Sequence, residues 1–263
     1  MIELGAYLAI GAVVGFLAGL LGIGGGIIIV SSIALMFTAR GFPPEYVMHM
    51  AIATAMGAML ASSFASMRTH HRHGAVDWRV VKGMTPGLLA GVVAGAFVSR
   101  FVPNAILKYF FLAFTLFVTV QMVANLKPAA ARELPRGPGL SAAGAAIGLI
   151  SGLIGAGAAA IGVPFLTWCN VGTHRAIGTV AAMAFPLAAA GSLGYIVAGW
   201  GIESLPRWSI GFVYLPALVG ISATSMLLAP FGARLAHRLP AARLRRIFAL
   251  VLIALGVKVA VSI

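Results

Sequence analysis

Residues 11–31 read GAVVGFLAGLLGIGGGIIIVS and residues 144–164 read GAAIGLISGLIGAGAAAIGVP, so one glycine-broken apolar segment occurs twice. A cluster of glycines in the middle of an apolar run interrupts a helix and leaves backbone N–H and C=O groups unpaired. Hydrocarbon tolerates such groups only where they line a cavity inside protein. Paired interruptions in corresponding halves of a chain point to the binding site of a transporter. The repeat therefore constrains the fold to a duplicated membrane protein before any other motif is considered.

Composition supports the same conclusion, since 61% hydrophobic and 9% charged residues cannot cover a soluble 263-residue chain with polar surface. The first apolar run carries only Glu3 as a charged side chain and lacks a basic n-region, so it is expected to be retained and not cleaved. A single cysteine, Cys169, excludes an intrachain disulfide framework and a cysteine metal cage. The net charge of +13 comes from basic residues crowded between apolar segments. Anionic headgroups and the positive-inside bias account for that pattern. Nucleic-acid binding, which needs a basic soluble face, is not expected, and the lipid bilayer is the obvious partner.

Apolar stretches fall at about 4–38, 46–67, 80–99, 105–124, 140–169, 175–199, 208–231 and 246–262. The expected fold is an all-α polytopic membrane protein of two repeats, each with about four apolar segments and each opening on the glycine-broken one. Residues 1–126 form the first repeat, 127–139 a polar, proline-containing linker, and 140–263 the second. The copies also share His49-Met50-Ala51-Ile52-Ala53-Thr54 with His174-Arg175-Ala176-Ile177-Gly178-Thr179, and the reading pairs Pro86 with Pro216.

Loop charge sets the orientation. Arg68, Arg72, Arg79 and Lys82 follow the second segment, whereas the equivalent loop of the other half holds Glu203 and Arg207. The next loop reverses the bias, with Arg100 and Lys108 against Arg234, Arg238, Arg243, Arg245 and Arg246. The halves are thus expected to be inverted, with both termini outside and the linker in the cytoplasm. Inversion requires an odd number of crossings per half, so each broken segment is either re-entrant or a double-crossing hairpin.

Inverted breaks meet near the midplane and present the amides of Gly24, Gly25, Gly26 and Ile27 and of Gly157, Ala158 and Ala159 to one volume. Unpaired N–H groups and the positive end of the helix dipole favour a small oxyanion. The spacing of Gly11, Gly15, Gly19 and Gly22 is read instead as close helix packing. His49 and His174 either bind the anion, carry a proton or cap segment starts. Thr54 and Thr179 could donate to the anion, and Arg175 either contacts it or anchors its segment at the headgroups. Gly22-Ile23-Gly24-Gly25-Gly26 is no dinucleotide fingerprint, lacking a preceding strand and a following acidic residue. His70-His71-Arg72-His73 lacks carboxylate or cysteine partners, so neither a metal nor a cofactor is expected.

Gly15-Phe16-Leu17-Ala18-Gly19-Leu20-Leu21-Gly22-Ile23-Gly24-Gly25-Gly26, its weaker copy 148–163, Gly232-Ala233-Arg234-Leu235-Ala236-His237-Arg238-Leu239 and Leu244-Arg245-Arg246-Ile247-Phe248 resemble the TauE/SafE sulfite exporter family. The resemblance implies export of sulfite or an organosulfonate across the bacterial inner membrane, and a homodimer is compatible with it. The second repeat departs from the pattern, with Gly157-Ala158-Ala159-Ala160 in place of the glycine run. All five acidic residues, Glu3, Glu45, Asp77, Glu133 and Glu203, lie near segment ends, which disfavours carboxylate-based proton coupling. An intramembrane enzyme using Ser62, Ser63 or Ser66, and a non-transporting assembly subunit, are the competing readings.

Overall fold

The computed structural model describes residues 2–21, 26–124, 132–236 and 241–262. Most of the chain is helical. The first half runs α1 (Ile2–Leu21), α2 (Gly26–Ala39), α3 (Val47–Arg72), α4 (Trp78–Ser99) and α5 (Asn104–Val123). The second runs α6 (Pro138–Ile154), α7 (Ala159–Trp168), α8 (Thr173–Ala198), α9 (Leu215–Ala236) and α10 (Ala241–Ser262). Among the described residues α3, α4, α5 and α8 are long and apolar enough to cross a bilayer. The chain is an all-α polytopic membrane protein, with five helices before residue 125 and five after residue 131 among the described residues.

Each expected broken segment is a pair of helices. At 1.5 Å per residue, the 14 residues of α2 and the 10 of α7 span about 21 and 15 Å, short of the ~30 Å hydrocarbon thickness. The remaining difference from the sequence reading lies at 208–214. Strands Ser209–Ile210 (β1) and Val213–Tyr214 (β2) form a small antiparallel hairpin there instead of the start of a helix. Gly211 supplies the left-handed turn with φ 53°, and a side chain at this position would strike the Ile196 carbonyl. Pro216 is then the second residue of α9, a position that tolerates its missing N–H, whereas Pro86 lies well inside α4. The two prolines are therefore not equivalent.

Glycines set the helix pairing. Gly87, Gly91 and Gly95 of α4 lie against Ser141, Ala145 and Leu149 of α6, with Gly144 and Gly148 answering from α6. A side chain at Gly91 would collide with the Ala145 carbonyl oxygen. Gly11 and Gly15 of α1 meet the backbone of Ile221 and Ser225 of α9 in the same manner, so both have the packing role that their spacing suggests. Lipid offers no hydrophobic force between helices, so this close backbone approach supplies the dispersion energy that holds them. Residue numbers rise together in both pairs, so α1 runs parallel to α9 and α4 parallel to α6. By contrast α3 and α8 cross antiparallel, with Met56 beside Gly191 and Ala75, just past α3, beside Gly178. The contacts α1–α9, α4–α6, α3–α9, α4–α8, α2–α3 and α7–α8 exchange among themselves when each helix is replaced by its counterpart in the other half.

The exterior of the bundle is apolar. Ile106, Tyr109, Leu116, Phe117 and Val120 project from α5, and Trp200 and Trp208 are exposed at the hairpin end. These are the residues expected against acyl chains and at the headgroup boundary.

Candidate functional site

The second break begins where Gly155 takes φ 69°, a left-handed C-cap that ends α6. Its N–H still reaches the Ser151 carbonyl at 2.9 Å, and helical bonding resumes only with Gly162 N–H to Ala158 C=O at 2.7 Å. The intervening amides lead into α7 without an α-helical acceptor. Gly26, the first residue of α2, is packed on this turn. A Cβ there would lie 3.0 Å from the Gly155 carbonyl oxygen, 3.0 Å from the Gly157 nitrogen and 3.1 Å from the Ala156 Cα.

The start of α2 therefore touches the second break, and between them is a cavity of about 10 Å³ lined by Gly26, Ile27, Val118, Ala156, Gly157, Ala160 and Phe248. Each half contributes its break and its fifth helix. About one water fits such a volume, so the site is closed in this conformation. The start of α2 and the start of α7 both face the cavity with the positive ends of their dipoles. Ala158 is the N-cap of α7 and fully buried, and Ala159 is its first residue. Gly24 and Gly25 lie outside the described residues. Val118, Ala156, Ala160 and Phe248 were not among the expected site residues, and for Val118 and Phe248 helix periodicity does not reveal which apolar side chain from a distant helix closes a cavity.

The matched histidines and threonines sit elsewhere. Thr54 of α3 is fully buried, and its oxygen accepts the N–H of Tyr214, the residue that leads into α9, at 3.1 Å. Thr179 of α8 accepts the N–H of Asp77, the residue that leads into α4, at 2.9 Å. Each half thus clamps the other half's fourth helix at its start. His49 is buried beside the first clamp. Its Nε2 lies 2.8 Å from the Ser99 carbonyl and 3.1 Å from that of Val102, so Nε2 carries the proton and donates to both. The ring stacks on Phe212 of the hairpin at 5.2 Å, and Tyr46 and Tyr195 pack on the same phenyl group.

The second clamp has a polar flank, although Thr179 itself is fully buried. His174 and Arg175 are exposed, and the Arg175 guanidinium stands 3.8 Å from the Asp77 carboxylate. That carboxylate also caps α4, accepting from the N–H groups of Arg79 and Val80. At the competing catalytic positions, Ser62 and Ser63 donate to carbonyls of their own helix. Among the described residues no group of three histidines, cysteines or carboxylates could hold a metal ion.

Comparison with known proteins agrees with this architecture. The sequence pattern of the family described as sulfite exporter TauE/SafE matches residues 7–259. A Haemophilus influenzae protein described as a "probable membrane transporter protein" is 32% identical over 251 residues, covering 95% of each chain. A Bacillus subtilis protein described as "probable membrane transporter protein YunE" is 40% identical over 80 residues, 30% of this chain and 27% of that one. No solved structure matches.

Proposed function

We propose, proceeding from the fact that this chain belongs to the sulfite exporter TauE/SafE family, that it carries a small sulfur-containing oxyanion out of the cytoplasm. It is a multi-pass membrane transporter and not an enzyme. The substrate class we assign is sulfite or an organosulfonate, and the membrane is the bacterial inner membrane. The observation that carries this reading is the joint cavity, where two helix starts converge on a volume without a fixed charge among its lining residues. An oxyanion there would take its hydrogen bonds from the amides of Gly26, Ile27, Gly157, Ala158 and Ala159, with Gly24 and Gly25 completing the first break.

Inverted repeats fit the antiparallel crossing of α3 and α8 and the exchange of helix pairs between the halves. In that topology the short α2 and α7 return partway from α1 and α6, and the cluster Arg68, Arg72, Arg79 and Lys82 lies in the cytoplasm. The hairpin then faces outward. We assign Thr54, His49, Thr179, His174 and Arg175 to the two clamps that must open for the anion to pass, one at each face. Efflux of an anion from an inside-negative cell gains about 2.3 kcal/mol per charge per 100 mV, so no coupling ion is required.

The test is uptake of labelled sulfite into proteoliposomes under a potassium-diffusion potential of either sign, with sulfoacetate, taurine, thiosulfate and sulfate as competitors. Saturable flux that follows the potential supports the reading, and the competitor order gives the substrate. Absence of saturable sulfite flux from folded protein at both potentials, with no competitor carried in its place, contradicts it.

A further inference from the structure

We propose that Tyr195 is a positioning residue that keeps the second break open, an inference that rests on the anion-site reading above. Its side chain is fully buried in α8, and its hydroxyl donates to the Gly152 carbonyl at 2.8 Å. Gly152 stands in the last turn of α6, and a continuing helix would give its carbonyl to the N–H of Ala156, four residues on. The ladder stops one residue earlier, with Gly155 N–H on Ser151 C=O. Tyr195 thus competes for the acceptor whose capture by Ala156 would carry α6 through the break. Ala156 is left lining the cavity instead.

The need for such a device is written in the two sequences. The first break reads Gly22-Ile23-Gly24-Gly25-Gly26, whereas the second reads Gly155-Ala156-Gly157-Ala158-Ala159. Glycine opposes helix formation and alanine favours it more than any other residue. The second break has therefore exchanged two helix-opposing residues for helix-favouring ones, and a competing donor from a neighbouring helix compensates. Continuing the His49–His174 correspondence along the helices puts His70 where α8 has Tyr195, so the glycine-rich half carries no tyrosine at that position.

The experiment compares wild type with Tyr195→Phe and with Tyr195→Phe combined with Ala158→Gly, each as the full chain in proteoliposomes. Hydrogen exchange of the backbone at 155–158 and the concentration dependence of sulfite flux are both read. Tyr195→Phe is expected to slow exchange at 155–158 as helix extends into the break. It should also raise the half-saturating sulfite concentration about tenfold, the scale of one buried hydrogen bond, with little change in maximal rate. Adding Ala158→Gly should restore both values. A tyrosine that merely supports the structure predicts faster exchange and a further loss when glycine is added, and that result, or unchanged exchange, overturns the proposal. Slowed exchange with rescue, but no sulfite flux even in wild type, leaves the role of Tyr195 standing and removes the anion assignment.

Discussion

Thr54 of α3 and Thr179 of α8 are both fully buried and accept the same kind of backbone N–H, yet the residues around the two bonds differ. Thr54 works inside an aromatic plug, where Tyr214 packs on Phe37 and Phe42 at 5.6 and 5.1 Å and Phe212 covers His49. Thr179 works beside Asp77, whose carboxylate faces Arg175 at the surface. The second-half connection is long enough to fold a hairpin back into the bundle, while the first-half connection is a tight turn at Gly74, with φ 65°. The same kind of hydrogen bond fixes the start of α9 and of α4, and what covers it differs. One clamp is covered by aromatic side chains and the other is flanked by a partly exposed ion pair.

The largest expected effect lies where the halves converge. Gly157 has room for a side chain only toward the flexible tip of Met59 and the cavity, so Gly157→Leu should fill the site without disturbing helix packing. Loss of the ~2 kcal/mol that an ion gains at a buried helix terminus lowers flux at least about thirtyfold. Gly26→Leu should lower flux at least as much, because its side chain also meets the backbone of residues 155–157. Normal flux in either variant would separate that break from the site.

Next come the clamps. Replacing either threonine by valine leaves a backbone N–H unpaired at a cost of about 1 to 3 kcal/mol, and more where water cannot reach. Thr54→Val should therefore destabilise the protein more than Thr179→Val in thermal unfolding, because the first hydrogen bond is buried and the second only partly so. Serine at either position should restore stability. Equal losses would erase the contrast between a dry clamp and a wet one.

The smallest effects belong to the solvated pair. Asp77→Asn keeps an N-cap for α4 and removes only the charge, and an exposed pair contributes about 0 to 1 kcal/mol, less in salt. Asp77→Ala also removes the cap, costing about 1 kcal/mol more. A large change in unfolding temperature for Asp77→Asn alone would mean that the pair acts as more than a surface contact.

The contrast between local and distant information also explains what the sequence revealed. The helix break at Gly155–Ala158 was readable because glycine acts on its own backbone. Packing by Gly11 and Gly15 followed from spacing alone. The hairpin at 209–214 was hidden because Ile210, Phe212 and Val213 are apolar and continue the hydropathy of α9. The pairing of Thr54 with Tyr214, the cavity-lining role of Phe248 and the contact between Tyr195 and Gly152 join residues far apart in the chain. No local pattern encodes them.

The most direct test of a site built jointly by both halves is the stoichiometry of labelled sulfite bound at equilibrium to purified protein, measured for wild type, Gly26→Leu and Gly157→Leu. One anion per chain, lost in either variant, is the predicted result. Two anions per chain, or a variant that keeps one, would mean that each break binds separately and would contradict a shared site.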